Sequence, residues 1–346
     1  VRILHASLTR EWGGSERYCA SLAAGQADEG HDVRVVIRDA GMVGHWQDEC
    51  KRAHVWAIPH WVPSLLERWV IAHYLRGFRP DVVHTHLGRA DVKVGKVAKA
   101  KRIPWVTTVH LRWKPKDMQQ ADAAVLIAKW QKQEVAQAGY TGLTKVVWNW
   151  LPKLRVAGTV RVAEIRKEIG AGPGTVVFGS VGRLHGQKGM DVLVKAFRDA
   201  FDEGQDVRLV LVGEGPEKLK LQGLAGTDKR IHLVGHQPEI SPWYEAMDVY
   251  VSASRYEPFG LTILEAMAHG CQLVCTRTEG PSEFLQEASG KGQVMWAERG
   301  NAESLAAVLR VAKVQGRVKV AYDLMPFDVG RGVREIDEVY AAVVGK

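Results

Sequence analysis

Along most of this chain, short apolar runs alternate with longer stretches whose apolar positions recur every three or four residues. Continuous apolar runs are the pattern of buried parallel strands, and the longer repeat is that of amphipathic helices, so the alternation predicts strand–helix–strand units and a parallel α/β architecture. In the first half the expected strands are 2–6, 33–37, 81–87, 105–110, 123–128 and 145–148; in the second they are 175–182, 207–213, 230–235, 248–254 and 272–276. Between them, 149–174 has little strand pattern, contains Pro152 and ends in GAGPG, as a hinge before a second sheet would. A helical repeat runs from Val329 to Val344. The expected division is a first domain over 1–152, a second over 153–327 and a closing helix over 328–346. Neither a solenoid repeat nor a low-complexity segment interrupts this pattern.

Composition narrows the class. A chain of 346 residues, 46% of them hydrophobic, suits two domains with sizeable cores. It holds no apolar run near the eighteen residues that a membrane-spanning helix needs. The start, VRILHASLTREWGG, reads as a strand and a polar loop rather than a secretion signal, and the missing initiator Met reads as trimming. Cys19, Cys50, Cys271 and Cys275 are too scattered for a disulfide framework, which fits a reducing cytoplasm. The net charge of +8 sits in one half: residues 1–150 carry 22 Lys and Arg against 14 Asp and Glu, and residues 151–346 carry 25 against 25. The first half is therefore built to meet something negative.

Four loops carry candidate chemistry. Arg255–Gly270, RYEPFGLTILEAMAHG, places Glu257 and Glu265 across a loop-to-helix boundary. Gly260 frees the backbone just where the helix begins, and a helix start offers N–H groups to an anion. Carboxylates beside such donors can accept bonds from sugar hydroxyls. Gly182–Gly189, GRLHGQKG, puts Arg183 and Lys188 in a glycine-bearing loop after a buried strand, where fixed cations can stabilise a departing diphosphate. Gly213 and Gly215, in GEGP, end the next strand, at the edge where doubly wound folds bind ligands. The WGGSE turn brings Gly13 and Gly14 to the start of a helix. His84 and His86 share one face of their strand, a possible metal pair for which the spacing offers no third ligand. With no D-x-D triplet in the chain, a metal-independent reaction is expected, and no cofactor.

The E-P-F-G-L-T-x-L-E-A-M-A run, with G-R-x-x-x-x-K-G before it, resembles the retaining glycosyltransferases of family GT4, and the motifs keep that family's order along nearly the whole chain. The resemblance implies the GT-B fold: two Rossmann-like doubly wound domains facing across a cleft, the last helix crossing back to the N-terminal one. It implies that the first domain binds acceptor and the second the nucleotide sugar. By the same resemblance Arg183 and Lys188 contact the diphosphate, Gly13 and Gly14 its distal phosphate, and Gly182, Gly213 and Gly215 shape the pocket. Backbone atoms near Leu233 and Val234 meet the base, and those of Phe259, Gly260, Leu261 and Thr262 hold sugar and phosphate oxygens. Glu265 takes the ribose hydroxyls and Glu257 those of the transferred sugar, which His110 also approaches.

The acceptor side is expected to draw on Glu16, His84, His86 and Arg112. The implied reaction moves a hexose from a nucleotide-sugar donor to a saccharide, with a lipid-linked glycan of lipopolysaccharide core or envelope type favoured by the basic first half and by TEGPSEF at 278–284. Since no carboxylate near the first-half motifs offers itself as a nucleophile, front-face substitution is the favoured route. Trp61, Leu65, Trp69 and Tyr74, among the cations of 60–79 and 88–102, either pack inside or lie on the cytoplasmic face of an anionic membrane. Departures from the family pattern are Asn149–Trp150 in place of Asn-Gly, and an irregular stretch after Pro281 with Gly292–Trp296 where a strand is usual. Another GT-B enzyme, such as a sugar-nucleotide epimerase or a phosphorylase, and a basic nucleic-acid binder are the rivals; the two glutamates favour the transferase, and no nucleic acid is expected.

Overall fold

The computed structural model describes residues 1–345 other than 60, 152–157 and 289–293. Two compact units result: Val1–Pro152 together with Pro326–Lys346, and Lys153–Met325. The expected boundary residue, Pro152, lies outside the described residues.

The first unit holds β1 (Arg2–Ser7), β2 (Asp32–Ile37), β3 (His54–Ala57), β4 (Val82–His86), β5 (Trp105–Val109), β6 (Ala123–Leu126) and β7 (Leu143–Val146). They form one parallel sheet in the order β3-β2-β1-β4-β5-β6-β7. One face packs on the helices Gly14–Asp28 and Val329–Val343 through Leu22, Val333 and Ile336; the other packs on Glu67–Phe78 and its neighbours through Ile71 and Leu75. The second unit holds β8 (Val176–Val181), β9 (Val207–Val212), β10 (Ile231–Gly235), β11 (Val249–Ser252), β12 (Gln272–Thr276) and β13 (Val294–Ala297), all parallel, in the order β10-β9-β8-β11-β12-β13. Each unit is thus doubly wound, and its strand order reverses between β1 and β4 or between β8 and β11. Ligands bind such sheets outside the carboxyl ends at that switch point.

Every expected strand is present; β3 and β13 are additional. Both are edge strands, paired on one side and only partly buried, so neither needs the long apolar run that marks a central strand. The irregular stretch after Pro281 resolves into the helix Glu279–Ala288 and β13, with Gly292 outside the described residues. The region expected as a hinge carries a helix, Thr159–Glu168.

Trp150, which stands where the family pattern has glycine, is 2% exposed in the core of the first unit. It stacks on Tyr18 at 4.2 Å, donates from Nε1 to Ser21 Oγ at 2.7 Å and lies flat against Gly332. A Cβ on Gly332 would come within 2.2 Å of the indole, so the closing helix can approach only because that position is bare. The four cysteines are all buried thiols.

Candidate functional site

In the second unit the loops that follow β8 and β11 meet at the switch point. Gly182–Gly189 leaves β8 and leads into the helix Met190–Ala200. It is tied to the next loop by Leu184 N–H to Glu214 O (2.8 Å) and Glu217 N–H to Leu184 O (3.0 Å). Gly213 allows that approach: its φ is +138°, and a Cβ there would sit 1.9 Å from the Gly182 carbonyl oxygen.

The β11 loop grips the same segment. Arg255 donates from its backbone to Gln187 O (2.7 Å) and from Nη1 to Gly186 O (2.8 Å), and pairs with Asp191 at 2.7 Å. Burial works against ionisation of Asp191, but hydrogen bonds from Arg255 and Lys220 outweigh it and hold the carboxyl at about 2. Two residues on, Glu257 Oε2 accepts from Lys188 Nζ at 2.5 Å and from Ser254 Oγ at 3.4 Å. Lys188 and Glu257, expected separately as a diphosphate contact and a sugar contact, are thus in direct contact with each other, with Glu257 7% exposed. Arg183, in the same loop, is exposed.

Gly260, at φ +111°, turns the chain into the helix Leu261–Ala268. The helical ladder begins with Ile263 N–H on the Gly260 carbonyl (2.9 Å), so the N–H groups of Leu261 and Thr262 lie ahead of it. Phe259 turns its ring inward to stack on Phe284 at 4.8 Å, which leaves a backbone role. Glu265, 3% exposed, receives the Tyr244 hydroxyl on Oε2 at 2.8 Å. Burial, and then the adjacent Glu265, push the Tyr244 phenol well above its usual range, so it remains a donor that fixes one carboxylate oxygen. Tyr250 does the same for Thr262, donating to Oγ1 at 2.8 Å. Leu233 and Val234 lie in β10, where the ladder skips Val234 as a bulge and Gln237 donates to its carbonyl at 2.8 Å.

In the first unit Gly13 caps the helix Gly14–Asp28, and its N–H donates to Glu16 Oε2 at 3.0 Å. Glu16 also receives Thr9 Oγ1 at 2.7 Å and Ser15 Oγ at 3.0 Å, so this acceptor candidate is spent on shaping the loop. Arg112 pairs with Glu134. His84 is fully buried and meets Tyr340 Oη at 2.6 Å and Thr108 Oγ1 at 2.7 Å; it presents nothing at the surface. His86 Nδ1 lies 3.2 Å from His110 Nε2, and His110, just past β5, is 8% exposed. At the same switch point Leu87 is held at φ 71°, a costly conformation for a branched residue.

The sequence offered His86 no third metal ligand, and the structure corrects this: ligand atoms of His5, Cys19 and His86 lie within 4.8 Å of one another. The trio fits a metal poorly as it stands. His5 and His86 are already bonded to each other at 3.2 Å, and burial pushes the Cys19 thiol well above its usual range, against the thiolate that a metal needs.

Sequence reasoning missed Tyr244, Ser254, Asp191, His5 and Tyr18. For His5 there was a signal, a single ionisable residue inside the apolar strand RILHA.

Two doubly wound units, the second with a cation-bearing glycine loop facing a carboxylate at its switch point, define a glycosyltransferase with the GT-B fold. The family models described as "Glycosyl transferase 4-like domain" and "Glycosyl transferases group 1" match residues 13–143 and 175–312. The chain therefore carries both domain types of the group 1, GT4-like glycosyltransferases. It is similar to the lipopolysaccharide core biosynthesis glycosyltransferase LpsE of Rhizobium meliloti, 27% identical over 317 residues that span 89% of this chain and 88% of LpsE. Among solved structures, HepE of Anabaena in complex with UDP and glucose shares the fold at 20% identity and a TM-score of 0.81, over 99% of both chains. A glycosyltransferase from Rickettsia africae does so at 18% identity and 0.83, over 100% of this chain and 99% of that one.

Proposed function

We propose that this enzyme transfers a hexose, with retention and without a metal ion, from a nucleoside-diphosphate sugar to a lipid-linked saccharide of the lipopolysaccharide core or a related envelope glycan. The observation that carries the donor side is the Lys188–Glu257 contact at the switch point, beside Arg183 and the Leu261–Ala268 helix start. An ammonium and a guanidinium there neutralise charge as the bond from the anomeric carbon to the diphosphate breaks, which is the work a divalent cation does elsewhere. Glu257 accepts from hydroxyls of the moving sugar and Glu265 from the ribose. His110 of the first unit meets a hydroxyl of the transferred sugar. In front-face substitution the acceptor oxygen bonds the anomeric carbon on the side the phosphate leaves, and the acceptor's proton passes to the departing phosphate oxygen. Trapping a covalent glycosyl–enzyme adduct would sink that route. LpsE and the basic charge of the first half support the acceptor class.

The donor is tested by thermal shift with UDP-, GDP- and ADP-sugars on wild type and Glu265→Ala. A ligand at one hundred times its Kd adds about 2.7 kcal/mol. One nucleotide class is expected to stabilise wild type and to lose most of that effect in the variant. Equal shifts in both would remove Glu265 from the ribose.

The acceptor's lipid anchor calls for a protein that reaches a membrane surface. Among the described residues no helix is long and apolar enough to span one. Trp61, Leu65 and Trp69 are 73%, 88% and 76% exposed, whereas Tyr74 is half-buried. Lys93 Nζ holds the Ser64 carbonyl at 2.7 Å, joining this apolar ridge to the helical segment that carries Lys96, Lys99 and Lys101. Exposed indoles beside lysines suit an anionic bilayer surface. Co-sedimentation with phosphatidylglycerol vesicles is expected for wild type, weakened by salt and by Trp61→Ser/Trp69→Ser. Equal binding by both proteins would assign the contact to charge alone, and no binding would remove it.

A further inference from the structure

The buried histidines of the first unit form a directed chain. His110 Nε2 lies 3.2 Å from His86 Nδ1; His86 Nε2 lies 3.2 Å from His5 Nδ1; His5 Nε2 lies 2.8 Å from Gln26 Oε1. Gln26 Nε2 donates to Asp337 Oδ1 at 2.7 Å, on the closing helix, and Asp337 Oδ2 faces His31 Nε2 at 3.2 Å. His5, His86 and Gln26 are fully buried; His110, at one end, is 8% exposed, and the side chains of His31 and Asp337, at the other, are 21% and 24% exposed.

The outer end sets the direction of every bond. A carboxylate has no proton to give, so Asp337 turns the Gln26 amide with its NH2 outward and its carbonyl toward His5. A carbonyl only accepts, so His5 carries its proton on Nε2. Burial pulls the His5 pKa down to about 4 and the His86 pKa well below its usual range, so both rings are neutral and each has one donor and one acceptor. His5 Nδ1 therefore accepts from His86 Nε2, His86 Nδ1 accepts, and His110 must donate from Nε2. Burial pulls the His110 pKa down to about 3, so this ring is neutral as well and its remaining nitrogen, Nδ1, is left without a proton.

We propose that Asp337 and Gln26 are positioning residues that act through His5 and His86 to hold His110 in its Nε2–H tautomer, so that Nδ1 is solely an acceptor. This rests on the reading of His110 as a contact of the transferred sugar. A bare Nδ1 accepts from a hydroxyl and repels a carboxylate or phosphate oxygen, so the position facing it carries a hydroxyl and a uronic acid is excluded there. The second bond of each imidazole selects its tautomer in the same way when histidine serves as a ligand or catalyst.

The test is long-range proton–nitrogen correlation on full-length protein labelled with 15N-histidine, with His110 assigned by the signal lost in His110→Asn. Wild type is expected to show His110 protonated on Nε2 alone. Asp337→Asn, whose amide can also donate, frees Gln26 to turn over. It should mix the two tautomers at His110 and lower kcat roughly tenfold, the scale of losing a residue that orients a functional histidine. Asp337→Glu, which keeps an acceptor-only group, should restore the single tautomer. Protonation of His110 on Nδ1 in wild type, or a tautomer unmoved in both Asp337→Asn and Gln26→Leu, would overturn the relay. So would zinc in the purified protein that is lost on Cys19→Ser, since a metal on His5 and His86 would take the nitrogens the chain uses. A tautomer that shifts in Asp337→Asn with kcat unchanged would leave the relay standing and overturn the sugar contact at His110.

Discussion

Lys188→Met is expected to lower kcat for sugar transfer by about two to three orders of magnitude, the scale of removing one fixed donor from a developing negative charge. The same substitution strands the Glu257 carboxylate, whose side chain is 9% exposed, without its cation. Breaking a fully buried pair costs about 3–5 kcal/mol. Lys188 keeps 28% of its side chain exposed, so about 2 kcal/mol is the expected loss of stability here. The two effects separate in Lys188→Met/Glu257→Gln. Removing both charges should return most of the stability, read by calorimetry, while activity stays at the level of the single variant or below. A double variant that regained activity along with stability would show that the pair only holds the loop. Lys188→Arg is expected to rescue in part, because a planar guanidinium replaces a compact charge poorly in so tight a contact.

Trp150→Ala should cost about 3–5 kcal/mol, the range for truncating a large aromatic in a packed core. The indole fills the space between the helix Gly14–Asp28 and the closing helix, and its N–H satisfies Ser21. Gly332→Ala attacks the same contact from the other side, and forcing a methyl into a filled core costs about 1–3 kcal/mol. Because the two residues touch, their effects should not add: Trp150→Leu/Gly332→Ala is expected to be more stable than the sum of its parts. Scanning calorimetry reads the three variants, and strict additivity would mean that Trp150 and Gly332 do not share one packing site.

How far the chain could be read before folding follows from where each signal lies. Central strands announce themselves because both faces are buried, and so 2–6, 105–110 and 207–213 were legible within a residue or two. His54–Ala57 and Val294–Ala297 escaped because an edge strand needs no such run. In the candidate site, Glu257, Lys188 and Gly260 were legible because loop, glycine and helix start adjoin in sequence. Their supports were not: Tyr244 reaches Glu265 from another helix, and His5 meets His86 across 81 positions. Spacing along the chain cannot report a neighbour that only the strand order brings near. The ridge at Trp61 and Trp69 illustrates a second limit. Apolar residues among cations fit a core face or an exposed one equally well, and only their burial in the fold, Tyr74 half-buried and Leu65 left outside, separates them.

The first unit closes its core with Val333, Ile336, Val339, Tyr340 and Val343, residues that the ribosome adds only after all of the second unit. Domains generally fold as they emerge, the N-terminal one first. Here that order is inverted: Lys153–Met325 can complete itself during synthesis, while the half made first must wait, with the part of its sheet and the side of Trp150 that the last helix covers open to water. For that interval the half made first exposes apolar surface of the kind that chaperones exist to cover. A C-terminal fusion that holds the last helix away would be felt as misfolding some three hundred residues earlier in the chain.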